Sequence, residues 1–308
     1  MSSQHPSIAD IADDRSVPDA VLHQRVLDWY TAAQRDLPWR TPDTTAWGVF
    51  VSEIMLQQTP VVRVEPVWHE WMQRWPTPAD LAASAPGDAV RAWGRLGYPR
   101  RALRLHAAAT AMLERHAGEV PEGHAELLAL PGVGAYTAAA VASFAFGVRA
   151  TVVDTNVRRV LVRLVEGSAQ AAPALTRSEM DLAASLLPED ADLARTWNVA
   201  VMELGAITCT ARVPRCGDCP VADLCAWRAA GQPAYAGPAR RGQAWHGTDR
   251  QARGALLAVL RDAHGPVSGS DLAAAWPTDP PQRERCLDSL VADGLVEPLP
   301  RNRFRLPA

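Results

Sequence analysis

Two carboxylic acids stand at positions where the local sequence predicts different protonation states. Glu53 lies in a predicted helix over 46–58, four residues after Val49 and among apolar residues, so it should face inward. Burial disfavours a charged carboxylate, which makes Glu53 a candidate proton donor. Asp154 precedes an apolar helical pattern, where first-turn amides and the helix dipole should hold it ionised. Each also has a plainer interpretation, Glu53 as the partner of an arginine and Asp154 as an ordinary helix cap.

A glycine-containing turn lies between these two acids. The letters LPGVG predict a helix that ends at Leu130, a turn over 131–134 and a second helix over 135–146. Gly132 and Gly134 would supply positive φ angles and a bare backbone, so that N–H groups at the start of the second helix could bind a phosphate. The same letters also suit a simple connection between two helices.

Four cysteines follow within seventeen residues, with the spacing C-x6-C-x2-C-x5-C and no histidine among them: Cys209, Cys216, Cys219 and Cys225. The set suits a metal site with four thiolates. An iron–sulfur cluster, a zinc ion and disulfides all remain open from the spacing. Arg212 and Arg215 lie in the first ligand loop, where they could reach phosphate.

All 31 basic residues of the chain are arginine, and the sequence contains no lysine. No side-chain amine is therefore available to form a Schiff base. Two groups of arginines suit phosphate contacts or, alternatively, solvated helix faces, despite a net charge of -3: Arg91, Arg95, Arg100, Arg101 and Arg104; Arg149, Arg158, Arg159 and Arg163. Tyr98 lies between Gly97 and Pro99, beside the first group, where it could either enter a base stack or pack in the core.

The elements that must position these residues are helices. Amphipathic patterns cover most of residues 19–228, and most tryptophans should be core residues. After a stretch rich in Gly, Pro and Ala over 229–248, three helices and two short strands predict a winged helix that contains Cys286 in its core.

Residues 1–18 look disordered. With no long apolar segment and a polar, acidic start, we expect a cytoplasmic, nucleoid-associated protein that does not enter membranes.

Taken together, these motifs resemble the adenine DNA glycosylases of the helix-hairpin-helix superfamily, and especially the A/G-mismatch enzymes of actinobacteria. The resemblance rests on seven segments and covers roughly residues 20–228: LPWR (37–40), SEIMLQQT (52–59), LGYPRR (96–101), LPGVGAYTA (130–138), VDTNVRRV (153–160), MELGA (202–206) and the cysteine cluster. The last 60 residues also look like the tail of the actinobacterial branch.

The resemblance implies an all-α fold with a six-helix barrel, an iron–sulfur cluster domain and the winged-helix-like region. The implied domains are a tail (1–18), a [4Fe-4S] domain (19–45 and 153–228), the barrel with its hairpin (46–152), a linker (229–248) and the winged-helix-like domain (249–308). The implied partner is double-stranded DNA that carries a mispaired adenine, bound by a monomer.

The resemblance also implies roles for individual residues. Glu53 would protonate N7 of an adenine that has been flipped out of the duplex, and Asp154 would stabilise the oxocarbenium-like sugar. Tyr136 and Asn156 would orient the two carboxyl groups. Gln58 and Tyr98 would fill or open the base stack. The DNA contacts implied or predicted are Gln58, Tyr98, Gly132, Gly134, Arg100, Arg212 and Arg215.

Two departures and two alternatives accompany this interpretation. Full-length family members read 8-oxoguanine with a C-terminal domain that resembles nucleotide-pool hydrolases, whereas this chain has 60 residues with a winged-helix pattern. Thr155 stands where the family often has glycine.

Endonuclease III-like lyases carry a nucleophilic lysine where this chain has Tyr136, which leaves a monofunctional glycosylase. The alternatives are a mismatch thymine or uracil glycosylase and a non-catalytic iron–sulfur DNA-binding protein.

Overall fold

A computed structural model describes residues 19–235, 237 and 245–308, and it is predominantly helical, as predicted. The predicted tail over 1–18 and residues 236 and 238–244 of the predicted linker lie outside the described residues. The α-helices are α1 (Asp19–Ala33), α2 (Ala46–Leu56), α3 (Val61–Arg74), α4 (Pro78–Ala82), α5 (Pro86–Ala92), α6 (Arg100–Arg115), α7 (His124–Leu128), α8 (Ala135–Phe146), α9 (Thr155–Leu164), α10 (Arg177–Ser185), α11 (Ala191–Ile207), α12 (Ala226–Ala229), α13 (Asp249–Asp262), α14 (Gly269–Ala275) and α15 (Pro280–Ala292). The strands are β1 (Val267–Ser268), β2 (Glu297–Leu299) and β3 (Arg303–Arg305).

The described chain divides into two compact units. The first comprises residues 19–36 and 138–235, and the second comprises 37–137 and 245–308. The implied domain boundaries at 45/46 and 152/153 therefore differ from the divisions at 36/37 and 137/138. The C-terminal residues belong to the same unit as 37–137. Among the described residues, none of the helices has the length and apolar character needed to cross a membrane.

The first unit is built on α1, α9, α10 and α11, whose apolar faces form one core around Val157, Leu161 and Trp197. Ion pairs with buried acids join the segment after α1 to α11, and α9 to α10. Arg35 donates through Nε to Glu203 at 2.6 Å, and Arg158 contacts Glu179 at 2.7 Å. Because both acids are almost fully buried, removing either arginine would leave a buried charge without its partner.

The second unit is centred on α2, which is buried along almost its whole length. Thr45 caps this helix by accepting a hydrogen bond from the amide of Gly48. The indole of Trp68 on α3 donates to the carbonyl oxygen of Gly48 at 2.9 Å, and Trp71 and Trp93 meet edge to face. The expectation that the tryptophans of this region are core residues is correct, since Trp68, Trp71, Trp75 and Trp93 are all buried.

The C-terminal residues 245–308 fold into α13, α14 and α15 with a three-stranded antiparallel sheet of order β1-β3-β2. The predicted helices and the hairpin are present, with Arg301 and Asn302 at positive φ in the turn between β2 and β3. Strand β1 was missed because two residues are too few for an alternating pattern. Cys286 is buried on α15, as expected for a core residue. The winged-helix assignment itself stays a prediction.

Candidate active site

Glu53 lies on α2 with 6% of its surface exposed, and Phe50 and Ile54 on the same helix are also buried. Its inward orientation follows from the spacing of apolar residues along the helix, as predicted. The helix therefore holds the Glu53 carboxyl group almost entirely out of water.

Asp154 is the N-cap of α9. Its Oδ1 accepts the amides of Asn156 at 2.8 Å and Val157 at 2.7 Å, and its Oδ2 accepts the side-chain Nδ2 of Asn156 at 2.8 Å. The structure thus brings together Asp154 and Asn156, which the sequence analysis had linked.

The protonation of Asp154 is less simple than the cap alone predicts. Burial raises the pKa of Asp154 above the ordinary aspartate value, and this effect exceeds the lowering by the Val157 and Asn156 hydrogen bonds and by the charge of Arg159. The cap predicted from the sequence is present, but burial outweighs its effect on the pKa of Asp154. Removing the group from water opposes ionisation more strongly than the cap favours it.

Arg159 extends this arrangement and was missed as a site residue. It donates through Nη2 to Oδ1 of Asn156 at 2.8 Å and through Nε to the carbonyl oxygen of Cys209 at 2.8 Å. A side chain at Gly205 would place its Cβ 2.7 Å from the Cβ of Asn156, so only glycine lets α11 approach α9 here. Gly205 lies in the MELGA motif, which was the available signal.

The second arginine group does not form the phosphate-facing stripe that the sequence predicts. Arg158 and Arg163 are buried, and Arg149 donates to the carbonyl oxygen of Pro188 at 2.7 Å. These side chains instead satisfy buried acids and backbone carbonyls. Helical periodicity cannot separate this arrangement from a solvated arginine face, because either places the charges on one side of a helix.

The glycine turn joins α7 to α8, with α7 ending at Leu128 rather than Leu130. Gly132 has φ +82°, and a Cβ there would lie 2.8 Å from the Cβ of Arg104, so this position requires glycine. The expected positive φ at Gly134 is wrong, and a Cβ at Gly134 would meet nothing within 4 Å. Both glycines are exposed, while Tyr136 in the first turn of α8 is half-buried.

Gln58 and Tyr98 are exposed residues with left-handed backbones, at φ +56° and +48°. The sequence left open whether Tyr98 is exposed or packed in the core, and the structure shows it exposed, with 51% of its surface accessible. Such a backbone is unfavourable for a residue with a side chain and needs support from its surroundings.

Arg101 supplies that support and was predicted only as part of an arginine group. Through Nη1 it donates to the carbonyl oxygens of Ile54 at 3.0 Å and Gln57 at 2.5 Å, and through Nη2 to Gly97 at 3.1 Å. The loops that carry Gln58 and Tyr98 are thus joined by one buried guanidinium. Burial lowers the pKa of Arg101 to about 10, so it remains charged at neutral pH.

The four cysteines line one pocket together with Arg163 and Trp227, and all are free thiols. Across the described residues, no three His, Cys, Asp or Glu side chains converge as a single metal ion would require. Four thiols around one pocket are a ligand set for an iron–sulfur cluster or for a zinc ion. Arg163 donates to Sγ of Cys209 at 3.4 Å, and a hydrogen bond of this kind suits a cluster thiolate.

Arg212 and Arg215 are exposed in the loop before Cys216, as predicted. Arg215 donates through its side chain to the carbonyl oxygen of Ile207 and lies 3.9 Å from the carboxylate of Asp218. Arg100 is also exposed, and it pairs with Asp293 at 3.2 Å.

Comparison with known proteins decides the family. Residues 51–184 match the HhH-GPD superfamily base excision DNA repair proteins, and residues 209–225 match the iron-sulfur binding domain of endonuclease III. The adenine DNA glycosylase of Mycolicibacterium smegmatis is 55% identical over 281 residues, which span 91% of this chain and 94% of that protein. The chain belongs to the adenine DNA glycosylase family.

Solved structures agree with the fold of this family. A thermostable thymine-DNA glycosylase superposes with a TM-score of 0.61 and 27% identity, over 69% of this chain and 97% of that one. Endonuclease III in a non-covalent complex with DNA superposes with a TM-score of 0.59 and 22% identity, over 70% and 98% of the two chains. The resemblance found in the sequence is therefore confirmed for the family, for the helix-hairpin-helix fold and for an iron–sulfur binding segment.

Within this adenine DNA glycosylase family member, the candidate residues fall inside the matched segments. Glu53, Tyr136, Asp154 and Asn156 lie in the superfamily match, and the four cysteines lie in the iron–sulfur match. DNA is accordingly a partner of the chain.

Proposed function

We propose that this chain is a monofunctional DNA glycosylase of base excision repair that hydrolyses the N-glycosidic bond of adenine mispaired with 8-oxoguanine or guanine. The observation that carries the proposal is the identity of 55% with a curated adenine DNA glycosylase over nearly the full length of both chains. The absence of lysine from the sequence supports base release without Schiff-base lyase chemistry.

The two carboxyl groups divide the reaction between them. Adenine is a poor leaving group as an anion, so Glu53, which is buried on α2, protonates it at N7. Asp154 stabilises the positive charge that develops on the deoxyribose. Water completes the hydrolysis and leaves an abasic site.

Neighbouring groups orient these acids. The Nδ2 of Asn156 holds Oδ2 of Asp154, which leaves the carboxylate in one orientation while the amides of α9 hold its other oxygen. Tyr136, in the first turn of α8, is proposed to orient Glu53 or the substrate. Each of these is a positioning role, since the group acts through a carboxyl or through the bound nucleotide.

DNA is bound by three exposed features of the chain. The backbone of Gly132 and Gly134 contacts a phosphate at the start of α8. Gln58 and Tyr98 enter the base stack and support the flipped adenine. Arg100, Arg212 and Arg215 add charge to the phosphate contacts.

The four cysteines are proposed to hold a [4Fe-4S] cluster, which supplies structural cross-linking of the segment over 209–225. This segment carries Arg212 and Arg215, so holding the segment in place also fixes the positions of these two charges. Arg159 and Arg163 contact the segment from α9, which connects its position to that of the Asp154 cap.

Single-turnover base release tests the proposal directly. The substrates are duplexes with adenine opposite 8-oxoguanine, guanine or cytosine, and a thymine opposite guanine tests the mismatch thymine alternative. Adenine release opposite 8-oxoguanine or guanine is expected, with little opposite cytosine. Release of thymine alone would replace the substrate assignment, and release of neither base would refute a glycosylase.

The acid assignment is tested with Glu53→Gln, a nearly isosteric change. We expect a loss of about 10²- to 10⁴-fold in the rate, the range of general acid catalysis. Glu70→Gln, the same change at an exposed position on α3, is the matched control and should retain the full rate. Normal release by Glu53→Gln would contradict the role of Glu53.

A further inference from the structure

The C-terminal module, residues 245–308, contacts α5 through a pair of arginines. Arg91 on α5 donates through Nη1 to carbonyl oxygens at the end of α13, those of Ala263 at 2.8 Å, Leu260 at 3.5 Å and Arg261. The carbonyls at a helix C-terminus carry partial negative charge, so a guanidinium there is stabilising. Arg261 in turn donates to the carbonyl oxygen of Gly94. Arg91 thus reaches from α5 to the end of α13, and Arg261 reaches from α13 to Gly94, just after α5.

The end of the chain adds a backbone contact on the same helix. The amide of Gly87 donates to the carbonyl oxygen of Pro307 at 2.8 Å. A Cβ at Gly87 would lie 2.8 Å from the Cβ of Leu306 and closer still to the Pro307 oxygen. Glycine at this position is therefore what lets the chain end reach α5.

These contacts and one ion pair secure both ends of the Tyr98 loop, defined as residues 94–99. Arg261 holds Gly94 at its start, and Asp293 at the end of α15 pairs with Arg100, directly after the loop, at 3.2 Å. Asp293 is itself oriented by Arg253 at 2.6 Å. The module therefore contacts the chain on each side of Tyr98.

The Tyr98 loop needs such support because its backbone is unfavourable. Gly94, Gly97 and Tyr98 have φ angles of +55°, +86° and +48°. A non-glycine residue in the left-handed region costs roughly 1–2 kcal/mol, so the surrounding contacts must impose it. Restraint at both ends of six residues removes most of the alternative loop conformations.

The exposed face of α15 carries acids as well as an arginine, so this helix lacks the basic surface that binds DNA. Glu284 and Asp288 are exposed there, and carboxylates repel phosphate. Arg285 on the same helix is paired with Asp249 at 3.0 Å. The module's described polar contacts with residues 86–100 are those of Arg91, Gly87, Gly94 and Arg100.

We propose that the C-terminal module positions the Tyr98 loop, so that Tyr98 is held exposed and ready to enter the base stack beside the mispair. The module thus contributes to recognition of the mispair through Tyr98, without contacting the opposite base itself. This inference rests on the proposed glycosylase function.

A double-mutant cycle with Gly87→Ala and Tyr98→Ala tests the positioning role. Gly87→Ala improves the intrinsic helix propensity of α5 but blocks the approach of residues 306 and 307. We expect it to slow adenine release opposite 8-oxoguanine about tenfold in the wild-type background and less than about twofold in Tyr98→Ala, a coupling of at least about 1 kcal/mol. Gly254→Ala on α13 is the matched control, because a Cβ there meets nothing within 4 Å.

Equal slowing by Gly87→Ala in both backgrounds, or no slowing in either, would overturn the positioning role while leaving the glycosylase intact. If Gly87→Ala does not fold, Arg261→Gln replaces it in the same cycle, since it removes the donor to Gly94. The fluorescence of 2-aminopurine beside the mispair supplies a readout that does not depend on base release. A wild-type protein without base release would refute the proposed function, and the 2-aminopurine signal would still test whether Gly87→Ala reduces base unstacking through Tyr98.

Discussion

Single residues in the candidate site are held in states that favour function over stability. Asp154 is the clearest case, because burial raises its pKa while three hydrogen bonds oppose the shift. An ionised carboxylate kept partly out of water interacts more strongly with a developing positive charge than a solvated one does. The same burial makes the charged form costly to the folded protein.

Asp154→Asn should therefore slow catalysis without lowering the stability of the folded protein. Base release is expected to fall by about 10²- to 10³-fold, the scale for removing one electrostatic stabiliser of a transition state. Thermal unfolding at neutral pH should occur at the same or a higher temperature, since asparagine can still cap α9 but carries no charge.

The pH dependence of this stability difference has a defined sign. A folded-state pKa above the unfolded value means that ionised Asp154 lowers stability, so the advantage of Asp154→Asn is present at neutral pH. It should shrink as the pH falls through the folded-state pKa toward the ordinary aspartate value of 3.8, and it should vanish below that value, where the wild-type carboxyl is protonated in both states. Melting curves of both proteins between about pH 3 and about pH 7, a range that extends below the ordinary aspartate pKa, measure this difference. A variant less stable than the wild type at every pH would contradict the sign.

At the scale of elements, the turn between α7 and α8 depends on one glycine rather than two. Gly132 has both a left-handed backbone and a close approach to Arg104, whereas Gly134 has neither. The motif LPGVG predicts the turn but does not distinguish the two positions, because local sequence does not report which neighbour packs against the backbone.

Gly132→Ala and Gly134→Ala form a matched pair for this turn. Gly132→Ala should lower the free energy of unfolding by roughly 1–2 kcal/mol for the strained φ, and the contact with Arg104 adds to the loss. Gly134→Ala should leave stability near that of the wild type, as measured by thermal unfolding. If both glycines bind phosphate through a bare backbone, Gly134→Ala will still weaken DNA binding; equal stability losses in both variants would refute the distinction.

For the whole molecule, the thiol pocket is expected to determine how the segment over 209–225 is held. Cys219→Ser should abolish the visible iron–sulfur absorbance and the bound iron. With the loop released, the contributions of Arg212 and Arg215 should be lost, so the slope of log affinity against log salt should become less steep by about 2. Cys286→Ser is the control, because Cys286 lies in the C-terminal module and should leave iron content unchanged. Bound zinc in place of iron in the wild type would overturn the cluster.

The sequence by itself determined the features that depend on local patterns. Helical spacing predicts that Glu53 faces inward, the apolar run after Asp154 predicts a capped helix, and the cysteine spacing predicts a metal site. Together the motifs identify the family, and the comparisons confirm it.

Only the tertiary structure decided which arginine side chains bind backbone carbonyls within the protein. Arg101 meets the carbonyl of Ile54, 47 positions away, and Arg91 meets the end of α13, 170 positions away at Arg261. A backbone carbonyl is present at every residue, so a side chain that binds one leaves no signal in the partner's sequence. For the same reason, the pKa of Asp154 and the contacts of the C-terminal module with the Tyr98 loop followed from packing between distant segments, which periodicity and motif spacing do not record.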